Sequence, residues 1–193
     1  MPTYLIYKPF GMLSQFSREQ EGQVTLADLD FKFPKDVYPV GRLDADSEGL
    51  LLLSSDKTLN ARLLQPGSHV AKTYWVQVEG APCDADLDPL RTGLAINING
   101  KAYNTLPAKA RLLPGDPGLP ERIPPIRVRK SIPDTWLEIT LEEGKNRQVR
   151  KMCAAIGFPV LRLVRVAIGA CYWGKAPVGE MQPGNVKILN ELC

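Results

Sequence analysis

Histidine is almost missing: His69 is the only one in 193 residues. A Ser-His-Asp triad, a Cys-His pair or a two-histidine metal site must use it or do without. It sits in Gln65-Pro66-Gly67-Ser68-His69, a turn by composition, where a surface role is the ordinary one. Cysteine is scarce and scattered. Cys83, Cys153, Cys171 and Cys193 form no C-x-x-C pair, so neither a zinc site nor a disulfide framework is suggested. A reducing cytoplasm is the default setting. No apolar run approaches the ~20 residues that cross a bilayer. The start, Met1-Pro2-Thr3-Tyr4-Leu5-Ile6-Tyr7-Lys8, lacks the basic and apolar regions of a secretory signal. A cytoplasmic protein with no membrane partner is therefore expected.

What remains is an ordinary folding chain, 44% hydrophobic, long enough for one sizeable domain or two small lobes sharing a core. Its net charge of +3 hides an asymmetry. Residues 1–100 hold 9 Lys+Arg against 13 Asp+Glu, whereas residues 101–165 hold 13 against 6. Positive charge concentrated in one quarter suits a polyanionic partner, nucleic acid above all. A solvated basic face is the plainer reading.

The periodicities predict an α+β fold on a largely antiparallel sheet. Thr3–Lys8, Lys72–Glu79, Thr135–Leu141 and Val160–Ile168 alternate as strands. Shorter strands are expected at Met12–Phe16, Pro107–Leu113, Ile126–Arg129 and Val186–Leu189. Short helices are expected at Thr25–Leu29, Lys57–Leu64, Ala85–Arg91 and Asn146–Ile156, the last closed by Gly157. Asn99-Gly100 signals a hairpin. The stretch 114–125, with five prolines and two glycines, reads as a loop.

The densest chemistry lies in Gly41-Arg42-Leu43-Asp44-Ala45-Asp46-Ser47-Glu48-Gly49, followed at once by four leucines. The leucine run reads as a buried strand, so a carboxylate-rich loop is mounted on something rigid. Three chemistries suit it. A calcium loop of the EF-hand kind needs a carboxylate at its twelfth position, where this chain has Ser55. Glycoside-type acid/base work needs two carboxylates across one bond, and nothing makes Asp44 and Asp46 straddle a substrate. A single reactive aspartate flanked by Arg42 is the third. Composition alone does not select among them.

A resemblance does. Gly41-Arg42-Leu43-Asp44-x-Asp46-Ser47-x-Gly49-Leu50-Leu51 resembles the signature of the RsuA-type pseudouridine synthases, which act on ribosomal RNA. Lys8-Pro9-Phe10-Gly11 resembles the family's opening Lys-Pro-x-Gly, and Lys72-Thr73-Tyr74-Trp75-Val76 its Lys-x-Tyr-x-Val strand. Glu143-Gly144-Lys145-Asn146-Arg147-Gln148-Val149-Arg150-Lys151-Met152, continuing to Leu163-x-Arg165, resembles its last motif. The four matches follow the family order.

The resemblance implies an isomerase that converts a uridine in ribosomal RNA, 23S rRNA or a precursor particle, to pseudouridine. It implies a mixed sheet with flanking helices and a central cleft, no metal or organic cofactor, and a monomer. Residues 1–193 would form one catalytic domain of two lobes, starting at the Lys-Pro-x-Gly strand without a preceding S4 RNA-binding domain. Asp44 matches the essential aspartate, Arg150 the arginine that pairs with it, and Tyr74 the tyrosine against the uracil. Arg42 matches a residue that fills the gap left by an extruded nucleotide. Arg147, Lys151, Arg162 and Arg165 would form a basic wall toward phosphates, with Arg127, Arg129 and Lys130 as further candidates. Leu163 would line the base pocket. A non-catalytic RNA-binding or ribosome-assembly factor on the same fold is the alternative.

Overall fold

The computed structural model describes residues 2–65, 67–126, 131–172 and 182–189. β1 (Thr3–Lys8) leads to two short strands, β2 (Met12–Leu13) and β3 (Val24–Thr25), and a 3-10 turn at Leu26–Asp28. β4 (Tyr38–Val40) and the acidic loop precede β5 (Glu48–Ser54), buried at every position. α1 (Lys57–Leu64) is capped by Asp56, which accepts from Thr58 N. β6 (Lys72–Glu79) follows, then a 3-10 turn at Asp84–Leu87 running into α2 (Asp88–Thr92). β7 (Ala95–Ile98) and β8 (Lys101–Asn104) make the expected hairpin, with Asn99 and Gly100 at φ 51° and 83°, the left-handed pair that a two-residue turn needs. β9 (Lys109–Leu112), β10 (Asp134–Leu141), α3 (Gln148–Ala155), β11 (Val160–Ile168), β12 (Cys171–Tyr172) and β13 (Val186–Leu189) complete the order.

These elements are shorter than the sequence suggests where polar residues interrupt them. The second strand stops at Leu13, and the helix expected over Ala85–Arg91 is split between a 3-10 turn and α2, which starts where Pro89 takes up an early helical position. The edge strand expected at Ile126–Arg129 falls mostly on residues outside those described. Cys171 is disulfide-bonded, which the wide spacing of the cysteines did not suggest, because separation along the chain says nothing about distance in the fold. Cys83 and Cys153 are free thiols.

The main sheet runs β13-β1-β5-β11-β6-β10-β9, with β4 beside β5 and β12 beside β11. Its pairings among the described residues are antiparallel except β5 with β11. That parallel contact is short, Glu48 opposite Val164 and Gly49 opposite Arg165. Gly49 has φ +99°, and a Cβ there would collide with the Arg165 carbonyl oxygen. Glycine is what lets the two strands meet.

Strand alternation then decides where a cleft opens. On one face, Leu5, Tyr7, Leu50, Leu52, Val164 and Val166 form one apolar cluster that crosses the β5–β11 junction, covered by Leu59 and Leu63 of α1. On the other face the apolar packing divides. Tyr4, Ile6, Leu51 and Leu53 pack under Phe16, Phe31 and Phe33. Val76, Val78, Ile139 and Leu163 pack under α2, α3 and the β7–β8 hairpin, with Val149, Met152 and Cys153 at the expected helical spacing. Between the two clusters lies one cross-sheet row, Lys8, Gly49, Arg165, Tyr74 and Ile139. Its middle is polar, so the coverings part there.

Candidate active site

The cleft over this row has a volume of about 300 Å³ and is lined by Arg42, Asp44, Ser47, Lys72, Tyr74, Lys145, Arg147, Leu163 and Arg165, among others. Asp44, Tyr74, Leu163, Arg42, Arg147 and Arg165, distant in sequence, are thus brought together. Asp44 leaves the turn just before β5, where Ser47 N donates to its carbonyl at 3.0 Å. Its carboxylate is 41% exposed, open to a substrate. Tyr74 is half-buried at the cleft end of the β6 apolar row, continuing the line of Val76 and Val78.

The loop that carries Asp44 is clamped from below. Ser14 Oγ accepts from Leu43 N at 3.0 Å and donates to Leu43 O at 2.9 Å. Gly11 N donates to Ala45 O at 2.7 Å. Lys8, fully buried, donates from Nζ to Met12 O at 2.7 Å, Pro9 O at 2.9 Å and Ala45 O at 3.5 Å. Burial holds the Lys8 amine down at about 7, against the pull of Glu48, Asp46 and Asp44. Neither Lys8 nor Ser14 was singled out from sequence for a site role. The Lys-Pro-x-Gly motif was the available signal for Lys8.

The other carboxylates of the loop are each engaged by an arginine. Asp46 accepts from Arg147 Nη1 at 3.0 Å and Nη2 at 2.7 Å. Burial opposes its charge, but the Arg147 hydrogen bonds and the Arg147 and Arg150 charges hold its carboxyl below the usual range. Glu48 faces the opposite side of the sheet and accepts from Arg162 Nε at 2.9 Å and Nη2 at 2.8 Å. Asp46 and Glu48 thus each anchor an arginine.

The expected arginines need correcting. Arg150 was expected to pair with Asp44. It instead holds residue 46, donating from Nη2 to Asp46 O at 2.6 Å, with Nε 3.4 Å from Asp46 Oδ2. Its effect on Asp44 is through charge alone. The guanidinium that approaches Asp44 is that of Arg147, at 3.7 Å. The reason is local: Arg147 stands before α3 at φ 52°, which sends its side chain over the loop, while Arg150 comes one turn later. Arg162 does not belong to an outward basic wall. It is 6% exposed, bound to Glu48 and to Pro120 O at 2.8 Å, because its place on β11 puts it on the far face. Arg165 is equally buried and forms cleft floor rather than wall. Lys151 is half-buried on α3 and does not line the cleft. Arg127, Arg129 and Lys130 lie outside the described residues.

The exposed cations at the rim are Arg42, whose Nη2 donates to Gln15 Oε1 at 3.3 Å, Lys145 and Arg147. The rim loop is held by Glu143, which accepts from Tyr103, Leu106 N and Gln148. His69 is exposed, 3.7 Å from Glu142, and does not line the cleft. The cleft thus offers a solvent-reachable carboxylate, a half-buried phenol and a cationic border, an arrangement fitted to an anionic polymer with one residue turned inward.

Comparison with known proteins agrees. Residues 2–155 match the family model described as RNA pseudouridylate synthase. A ribosomal large subunit pseudouridine synthase E of Xanthomonas axonopodis pv. citri is 56% identical over 166 residues, covering 86% of this chain and 84% of the relative. A protein of the same name from Vibrio vulnificus is 52% identical, covering 95% of this chain and 73% of the relative. Among solved structures, a crystal structure of a pseudouridylate synthase superposes with a TM-score of 0.74 at 24% identity, over 98% of this chain and 71% of the other, which speaks for the fold. From its motifs, its sheet and these likenesses, the chain belongs to the family of RNA pseudouridylate synthases.

Proposed function

We propose that the protein isomerises a uridine of large-subunit ribosomal RNA to pseudouridine, with Asp44 as the group that acts at C1′. The single observation that carries this assignment is the Asp44 carboxylate, presented at the mouth of a cleft whose floor holds Tyr74. The overall change is balanced within one nucleotide. The N1–C1′ bond breaks, the uracil turns over, C5 joins C1′, the C5 proton leaves and N1 gains one. Asp44 attacks C1′ or removes the 2′ proton to give a glycal; either role needs an ionised carboxylate, and the Arg147 guanidinium stands 3.7 Å from it. Tyr74 takes the C5 proton. A phenol with an ordinary pKa of ~10 is a weak base near pH 7 and needs support from its surroundings.

The target nucleotide must leave its stack to reach the cleft. Arg42, exposed at the rim, fills the vacated space, and Leu163 packs against the base. Lys145 and Arg147 meet phosphates. The setting we propose is the cytoplasm, with the protein as a monomer on 23S rRNA or a precursor particle; the large-subunit names of the similar proteins support the RNA. Among the described residues no helix is long and apolar enough to cross a membrane.

Asp44→Asn is expected to bind the RNA and make no pseudouridine, read by carbodiimide-dependent reverse-transcription stops on rRNA. Normal product from that variant would overturn the assignment. A wild-type protein that binds rRNA yet releases no tritium from RNA containing 5-[³H]-uridine would favour the non-catalytic assembly factor instead.

A further inference from the structure

The arginine under the cleft is placed for something other than phosphate. Arg165 is 5% exposed, on the central strand β11, directly across from Tyr74 of β6. Directly opposed residues of an antiparallel pair carry their side chains on the same face, with Cβ atoms about 5 Å apart. One edge of its guanidinium is fixed: Nε donates to Leu50 O at 2.9 Å. The other edge is not, for Nη2 is buried without a hydrogen-bond partner. A buried, unsatisfied N–H pair on a cation is costly to keep, and both Arg165 and Tyr74 line the cleft. Two lysines lie close to it. Lys8 and Lys72 border the same floor, and burial depresses both, with the Arg165 charge adding to the effect. Burial likewise lowers Arg165, and the Tyr74 phenol is the group that favours its charge.

We propose that Arg165 is a positioning residue for the last chemical step: it orients the Tyr74 oxygen and pairs with the negative charge on it while Tyr74 removes the C5 proton. This rests on the proposed function. In the step, the phenolate oxygen takes the proton from C5, the C5–H electron pair returns to the ring, and the base regains its aromatic form. The proton then passes from Tyr74 to solvent. Arg165 itself neither gains nor loses a proton. The free Nη2 edge is what remains available to a phenolate, and Leu50 O keeps the guanidinium from following the substrate out.

The test separates C5 deprotonation from the steps before it. An RNA that the wild-type protein modifies is made with 5-[³H]-uridine, 5-deuterouridine or 5-fluorouridine at the target. Fluorine at C5 leaves no proton to remove, so that RNA reports only cleavage of N1–C1′ and rejoining. Arg165→Met is expected to slow tritium release about 100-fold, the low end for loss of acid–base assistance. It should enlarge the deuterium isotope effect and consume the fluorinated RNA at the wild-type rate. Arg165→Lys, which keeps the charge, should recover part of the tritium release. Tyr74→Phe should reproduce the Arg165→Met pattern, and the double variant should be no slower than Tyr74→Phe alone. Equal slowing of the fluorinated and tritiated RNAs by Arg165→Met would overturn the inference, as would wild-type tritium release. If Arg165→Met does not fold, the same contrast is read with Arg165→Lys. A wild-type protein that releases no tritium overturns the proposed function and this inference with it.

Discussion

Lys8 shows how one side chain couples stability to the site. Its Nζ holds the carbonyl of Ala45, the residue after Asp44, yet it is fully buried and its amine is held at about 7 by that burial, below the ordinary 10.5. The sign follows from proton binding. Between about pH 7 and 10.5 the unfolded chain binds more protons at this lysine than the folded chain does. Stability therefore rises with pH across that window; below it both forms are protonated and the fold carries the whole cost of a buried cation. The unfolding free energy of wild type minus that of Lys8→Met, from urea titrations at a series of pH values, should climb from pH 7 toward pH 10. A flat difference would show that Lys8 keeps its proton in the fold. At this same scale, Asp44 and Tyr74, which both line the cleft, were legible through the family resemblance of their motifs. The division of labour between Arg147 and Arg150 was not, because it depends on a left-handed φ at Arg147.

At the scale of elements, the β5–β11 contact decides the architecture. It joins two antiparallel halves through two residue pairs, and it is braced from behind by the Glu48–Arg162 ion pair, with both side chains buried. Breaking a buried pair from one side strands a charge, at about 3–5 kcal/mol. Glu48→Ala should lower the unfolding free energy from urea titrations by that amount, while Glu48→Leu combined with Arg162→Met should regain most of it. A Glu48→Ala protein as stable as wild type would show that the brace contributes nothing. Strand positions were readable from alternation over Lys72–Glu79 and from the leucine run of β5. Their neighbours were not, since alternation is a local property and pairing is a choice among distant partners.

For the whole molecule, the basic third quarter overstates the RNA surface. Arg162 and Arg165 are buried, and Arg122 packs over the Phe10 ring at 4.2 Å. The exposed cations of the cleft rim are fewer: Arg42, Lys145 and Arg147. Each phosphate neutralised in single-stranded RNA contributes about 0.7 to the slope of log affinity against log salt. Lys145→Ala should flatten that slope by about 0.7 in RNA-binding titrations from low to moderate salt, at one phosphate. The Glu48→Leu, Arg162→Met double variant should leave the slope unchanged. A change there would return Arg162 to the RNA interface.

The sequence by itself determined the class of fold and, through the family resemblance of its motifs, the kind of partner. These rest on local patterns: strand alternation, motif spacing and charge density. Only the tertiary structure decided which face of the sheet each charge meets. Asp44, Glu48, Arg162 and Arg165 all come from motif segments, yet two are a brace on one face and two belong to the cleft on the other. A single step along a strand reverses the face, and the covering layers, not the strand, determine whether that face is core or cleft.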